Sequence, residues 1–358
     1  MHRISIFAVI LAAGTAYAQP GAAPKTAEEV YKNIVQLKGT PADQVIPAMQ
    51  FIANSLGVEC QFCHVQGKME ADDKPAKKAA RQMMAMQAAI NKDHFNGRTQ
   101  VTCNTCHRGS ERPMSIPAIS ESDAPAHNTE ARTAPASNAD APSVDDILNR
   151  YVTAVGGADA LQKVTSRDLT GVILAGGQEN PIEVITKAPN RRVSISHSQM
   201  GDSYTAFDGT VGWLGVAGHP AREMPRPDAA AASIDAEFYL PLRLKEIYPQ
   251  MRRGRPEQVN GAECDVLNGS GEGRPSVRLY FDKQSGLLVR MVRYAETPFG
   301  RNPTQIDYAD YRDSGGAKIP YRWTLARPMG RFTIQIKEAK ANAPVDDAKF
   351  AKPDGEVK

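Results

Sequence analysis

The chain has 358 residues, a formal net charge of +3, and 41% hydrophobic, 6% aromatic and 23% charged residues. That length suggests two folded domains. A charge so near zero excludes nucleic acid as the main partner, because such binders concentrate a Lys/Arg excess on one face.

In chain order, residues 1–18 read as a secretory signal peptide. Arg3 opens it, Ile4 to Ala13 is apolar, and Ala16-Tyr17-Ala18 is a small-x-small cleavage site. The mature chain is expected in the periplasm, with a peripheral position on the membrane as one arrangement. No later run of about 18 apolar residues occurs, so no internal transmembrane helix is expected. Thr26-x-x-Glu29 is a capping box, and Val30, Ile34 and Leu37 follow at helical spacing up to Gly39, which predicts a first helix. Thr40-Pro41 predicts a second helix. Its apolar face is Val45, Ile46, Met49, Ile52, Ala53 and Leu56, and Gly57 stops it. Pro47 inside that run predicts a kink or a later start. A third helix is predicted from Lys74-Pro75 to about His94. Ala79, Met83, Met86 and Ile90 form one stripe on it, and Asn96-Gly97 ends it.

The cysteines carry the chemistry. Cys60-Gln61-Phe62-Cys63-His64 and Cys103-Asn104-Thr105-Cys106-His107 are two copies of C-x-x-C-H, the attachment sequence of c-type haem. Thiols at i and i+3 face one way on a helical turn, so each can form a thioether with one vinyl group. The following His64 or His107 then offers its imidazole to the iron. A disulfide pair would not require a His after each second Cys. A zinc site is open on spacing alone, and a thioredoxin-like pair needs a βαβ context that is absent here. Two complete copies in an exported chain favour two covalently bound haem c groups. Cys264, in a strand-like stretch, reads as a buried small hydrophobe.

The unit "helix with Met, turn, C-x-x-C-H" thus occurs twice, 43 residues apart. Met49 lies 11 residues before Cys60 and Met83 lies 20 before Cys103. Each can fold back as a distal thioether ligand. Met86 shares a face with Met83, Met84 is turned away by about 100°, and His94 competes for the second haem.

The segments Met49 to Cys60, Ala80-Arg81-Gln82-Met83, Ala89-Ile90-Asn91 and Val101 to Gly109 resemble the photosynthetic reaction-centre cytochrome c subunit family. The resemblance covers residues 25–112. It implies helices paired around each haem, Met49 and Met83 as distal ligands, electron transfer as the function, and a membrane-bound reaction centre among the redox partner proteins. The chain departs from that family in carrying two haem motifs rather than four, in lacking a lipid-anchoring Cys, and in a long additional domain.

Residues 113–142, with Pro113, Pro117, Pro125, Pro135 and Pro142 among Ala, Ser and Asp, read as a disordered linker. Residues 143–358 form the second domain. Ser143 caps a helix bearing Ile147, Leu148, Tyr151, Val152 and Val155, which ends at Gly156-Gly157. The period then falls to two, as in Val193-x-Ile195-x-His197, Val277-x-Leu279-x-Phe281 and Phe332-x-Ile334-x-Ile336. Turn signals separate the runs at Asp208-Gly209, Asn260-Gly261, Ser285-Gly286 and Gly315-Gly316. His197 and His219 are isolated, and Arg252, Arg253 and Arg255 around Gly254 read as a solvated turn. No catalytic constellation appears.

The stretches Phe207 to Trp213, Phe281 to Leu288 and Asp310 to Trp323 make this domain similar to the outer-membrane lipoprotein-carrier-like fold. That similarity implies a concave face able to hold an apolar or lipid ligand. The fold class expected is therefore multidomain α + β: a small all-α dihaem cytochrome c domain, then a mainly antiparallel β half-barrel with one or more helices. Electron transfer without bond chemistry is the function expected. The alternatives are a dihaem peroxidase and a redox sensor with a lipid- or lipoprotein-binding β-domain.

Overall fold

The computed structural model describes residues 24–113, 141–328 and 330–353. The signal peptide expected over 1–18 and nearly all of the linker expected over 113–142 lie outside these residues. Helices of very unequal length fill the N-terminal part: α1 (Ala27–Val30), α2 (Val45–Leu56), α3 (Cys60–Cys63), α4 (Pro75–Phe95) and α5 (Cys103–His107). No helix among the described residues is long and apolar enough to cross a membrane.

The first helix is far shorter than its apolar spacing predicts. The Thr26/Glu29 capping box forms, with Thr26 N–H donating to Glu29 Oε2 at 2.6 Å. The helix then stops after one turn, and Asn33 takes a left-handed φ of 60°. Its side chain donates to the Glu70 carbonyl at 2.6 Å and to Asp72 Oδ1 at 3.0 Å. A tertiary tie thus wins over local propensity. Val30 is left exposed, while Leu37 still reaches the core.

A 3₁₀ turn (Ala42–Gln44) precedes α2, so Pro47 falls in the first turn of α2, where a missing N–H costs little. Gly57 ends α2 at a φ of 67°. A Cβ there would sit 2.3 Å from the Gly109 carbonyl oxygen, so glycine is needed for the turn and for the close approach alike.

Helices α6 (Val144–Ala154) and α7 (Ala158–Lys163) open the second part. Strands follow as β1 (Ser166–Ala175), β2 (Gln178–Lys187), β3 (Arg191–Ser198), β4 (Gly201–Phe207), β5 (Gly212–Val216) and β6 (Arg222–Glu223). Next come α8 (Arg226–Asp235) and α9 (Leu240–Ile247). The chain then returns through β7 (Gln250–Arg253), β8 (Glu257–Val259), β9 (Ala262–Ser270), β10 (Ser276–Asp282), β11 (Leu288–Thr297), β12 (Gly300–Ser314), β13 (Ala317–Arg327) and β14 (Gly330–Ala341).

All pairings are antiparallel, and the order is β6-β5-β4-β3-β2-β1-β14-β13-β12-β11-β10-β9-β7, with β8 on β9. The result is a helical part followed by a large open antiparallel sheet, a half-barrel, as the alternation and hairpin turns predict. Strands β1 and β14 pair with each other, so the ends of this part meet mid-sheet. Helices α6 to α9 bury Ile147, Leu148, Leu161, Ile234 and Leu244 against Leu267, Leu279, Phe281 and Met291 of the sheet. Ser143 caps α6 through Asp146 N–H at 3.1 Å. Cys264 is fully buried.

The two parts share a core. The tip of the β11–β12 hairpin carries Phe299, 5% exposed, into a cluster with Ala27, Leu37, Val45, Ala48, Phe51, Ile52 and Met84. Gly300 lies under the Phe51 ring, where a Cβ would meet Cζ at 2.4 Å. Asn302 donates to the Pro47 carbonyl at 3.0 Å, and Arg226 pairs with Asp43 at 2.7 Å.

Candidate haem-attachment site

Each C-x-x-C-H forms one helical turn, as the chemistry requires. In the first, α3 spans the two thiols and His64 is its C-cap. In the second, Thr102 opens α5 with a capping box to Thr105, and His107 ends it. All four cysteines are free thiols, with Cys60 and Cys106 exposed and Cys63 and Cys103 half-buried. Burial pushes the Cys63 and Cys103 thiols above their ordinary range. Among the described residues no three Cys, His, Asp or Glu side chains gather to hold a metal ion. The two Cys pairs therefore do not converge into a single four-sulfur zinc site.

The histidines carry the most specific geometry. His64 Nδ1 lies 2.8 Å from the Met69 carbonyl oxygen, and His107 Nδ1 lies 3.0 Å from that of Ser110. A carbonyl only accepts, so each Nδ1 carries the proton and each Nε2 keeps its lone pair. This is the arrangement in which a second partner fixes the tautomer and orientation of an iron-ligating imidazole. Paired thiols on one turn, followed by such an imidazole, fit a covalently held haem.

Helix α4 organises both approaches through polar side chains, which the apolar stripe does not reveal. Its buried residues are Lys77, Met84, Gln87 and Asn91. Lys77 donates to the Met69 and Ala71 carbonyls, each at 2.9 Å. Gln87 and Asn91 each donate to the Val101 carbonyl at 2.7 Å, and Asn91 Oδ1 accepts from Gln100 and Val101 N–H at 3.0 and 2.9 Å. These bonds fix the backbone that leads into Cys103. Asp72 accepts from Arg81 at 2.8 Å and from Asn33 at 3.0 Å. Hydrogen bonds from Arg81, Asn33 and Lys77 hold its carboxyl well below the usual range.

The stripe of Ala79, Met83 and Met86 faces outward instead, with Met83 43% and Met86 48% exposed. Met84 turns the other way into the shared core, 8% exposed. Met49 is half-buried and packs on that same cluster, as does Cys103. The helices cross over: α2 packs on α5 and α4 packs on α3. Gly109 N–H donates to the Ser55 carbonyl at 2.8 Å, tying the end of the second motif to the helix that leads into the first. His94 is exposed near the end of α4. His197 is engaged with Asp202 at 2.9 Å and His219 is exposed, both remote from the haem motifs in the sheet part.

Among solved structures similar to this chain are a LolA superfamily protein from Nitrosomonas europaea and a DUF1329 family protein from Desulfovibrio piger. The first has a TM-score of 0.42 at 12% identity and covers 59% of this chain and 99% of that one. The second has a TM-score of 0.42 at 12% identity and covers 59% and 98%. Among curated proteins, the photosynthetic reaction center cytochrome c subunit of Thermochromatium tepidum is 35% identical over 92 residues, 24% of this chain and 22% of that protein. Cytochrome c-554 of Chloroflexus aurantiacus is 32% identical over 85 residues, 22% of this chain and 20% of that protein. The chain thus spans about a fifth of the length of these relatives. The family model for the photosynthetic reaction centre cytochrome C subunit matches residues 9–205, more than half of the chain. It extends past the 25–112 segment whose motifs carry the resemblance. The chain belongs to the photosynthetic reaction centre cytochrome c subunit family, whose members are electron-transfer cytochromes with covalently bound haem c.

Proposed function

We propose that the chain is an exported electron carrier with two covalently bound haem c groups. Cys60 and Cys63 attach the first, Cys103 and Cys106 the second. His64 and His107 are the proximal iron ligands, and Met49 and Met83 the distal ones. The observation that carries this reading is the pair of histidines whose Nδ1 atoms are held by the Met69 and Ser110 carbonyls at 2.8 and 3.0 Å. Both imidazoles thereby present Nε2 in the tautomer that ligates iron.

Bound there, haem c supplies a one-electron couple. The chain's own residues set its surroundings. The paired thiols would hold the group, the carbonyl-held imidazoles of His64 and His107 would ligate its iron, and the thioethers of Met49 and Met83 would complete the ligand sets. The Ser55–Gly109 hydrogen bond keeps the motifs side by side, which supports electron passage between them. Residues 1–18 direct export to the periplasm, residues 113–142 join the haem domain to the β-domain, and the redox partner is a membrane-bound reaction centre.

An optical redox titration of the purified protein tests this reading. Two low-spin one-electron steps are expected, with reoxidation by flash-excited reaction centres. High-spin haem turning over hydrogen peroxide would replace this reading with the peroxidase one.

A further inference from the structure

The concave face of the half-barrel, under α8, forms an open pocket of about 630 Å³. That is the size of a small-molecule site. Much of its wall is apolar, including Leu169, Ile182, Ile306 and Ile334. Its charged groups are not balanced. Arg293, 3% exposed, is paired with Asp235 at 2.7 Å, and Glu237 is paired with Arg243 at 2.8 Å. Asp228 and Arg327 are exposed at the rim. Two arginines remain.

Arg167 is 7% exposed, and its guanidinium makes no ion pair among the described residues. Its Nε is buried with no hydrogen-bond partner, and its ring contact is Phe238, 4.5 Å from the centroid. Burial pushes it down to about 10. Arg192, half-buried, likewise makes no direct ion pair among the described residues; the Asp235 carboxylate, held by Arg293, attracts it only from a longer distance, and its ring contact is Trp323, 5.8 Å from the centroid. The two stand in one cross-strand row: Arg167 on β1 is opposite Thr186 on β2, and Thr186 is opposite Arg192 on β3. All three line the pocket. Two strand spacings separate the arginine backbones by roughly 10 Å, within reach of two long side chains converging on one small anion.

An unpaired buried guanidinium is strongly unfavourable, and buried polar groups are almost always satisfied. We propose that Arg167 and Arg192, with the Thr186 hydroxyl between them, bind the head of a long-chain carboxylate whose alkyl chain fills the apolar pocket. A carboxylate takes a guanidinium bidentately with only two oxygens, which suits a row that offers few donors beyond the two arginines and one hydroxyl. This site is independent of the electron-transfer reading, since none of its residues touches the haem motifs.

The test is equilibrium binding of palmitate, methyl palmitate and 1-palmitoyl lysophosphatidate to the full haem-loaded chain. Palmitate is expected to bind at least about tenfold tighter than its ester, the scale of one charge-assisted hydrogen bond. Arg167→Met and Arg192→Gln should each remove that advantage and leave the ester unchanged. Equal binding of acid and ester, unaltered palmitate binding in both variants, or binding of the lysophosphatidate alone would overturn the proposal. If Arg167→Met fails to fold, the half-buried Arg192 and the unmutated acid-against-ester comparison still decide.

Discussion

Lys77 and His64 converge on a single acceptor, the carbonyl oxygen of Met69, at 2.9 and 2.8 Å. Lys77 is 8% exposed and also pairs with Asp72 Oδ1 at 3.2 Å, so its hydrogen bond to this carbonyl belongs to a partly buried ion pair and is not exchanged for one to water. A carbonyl alone would draw the imidazole proton toward itself, enrich the ring in electron density and favour oxidised iron. A cation on the same oxygen weakens that pull and favours reduced iron. The Ser110 carbonyl that takes His107 has no lysine donor among the described residues. Lys77→Met should therefore lower one of the two potentials, on the order of 60 mV, the equivalent of a tenfold change in a one-electron equilibrium. A redox titration checks this, and two unmoved potentials would remove Lys77 from the tuning of the first haem.

The methionine assignment has its own test. Met83→His should keep its haem low-spin and lower its potential, because a thioether favours reduced iron relative to a second imidazole. Met83→Ala should give a high-spin or water-ligated haem. Met86→Ala should leave the spectrum as it is. If the change appears instead in Met86→Ala or His94→Ala, the ligand is reassigned accordingly.

Asp72 gives a signature in pH. Its folded-state pKa lies below the ordinary carboxylate value, held there by Arg81, Asn33 and Lys77. The stability it contributes is complete above the unfolded value of about 4 and is lost as pH falls through the folded one. Thermal midpoints of the wild type should fall across that acid window. Asp72→Asn should lower the midpoint at neutral pH, flatten its acid slope and be less costly at high salt, since Asp72 is 40% exposed. Parallel curves for the two proteins would show that Asp72 contributes nothing.

Much of this was legible in the chain, and its failures have physical causes. Gly57, Asn260-Gly261 and the Ser143 cap stand where local chemistry places them, because turns and caps depend on a few adjacent residues. The first helix is shorter than its apolar spacing predicts because the Asn33 side chain bonds to Glu70 and Asp72, a tie between distant segments. The apolar pattern predicts helix α4 but not its packed face. Apolar periodicity selects Ala79, Met83 and Met86, whereas the buried face is built on Lys77, Gln87 and Asn91, whose partners are loop carbonyls. Arg167 looks like an ordinary strand charge, and only the sheet's curvature places it in a pocket. Phe299 occupies a hairpin tip, and nothing local marks a tip as a core residue of another segment.

That tip makes the coupling of the two parts testable. Proteolysis is expected first between 113 and 142, because Pro-, Ala- and Ser-rich sequence without apolar periodicity is nicked preferentially. The two fragments should then stay together through Phe299 and its cluster. Phe299→Ala removes a buried aromatic at a cost of about 3 kcal/mol or more, and should let a colourless β-rich fragment starting near Val144 separate on size exclusion. Wild-type fragments that part at once would show that the hairpin contact is weak.

The haem count is decided by intact mass under denaturing conditions. After signal cleavage before Gln19, the chain should carry two haem masses that survive unfolding, and Cys60→Ala with Cys63→Ala should remove one and keep the other. A bare polypeptide mass, or a chain that binds zinc and no haem, would contradict the electron-carrier reading outright.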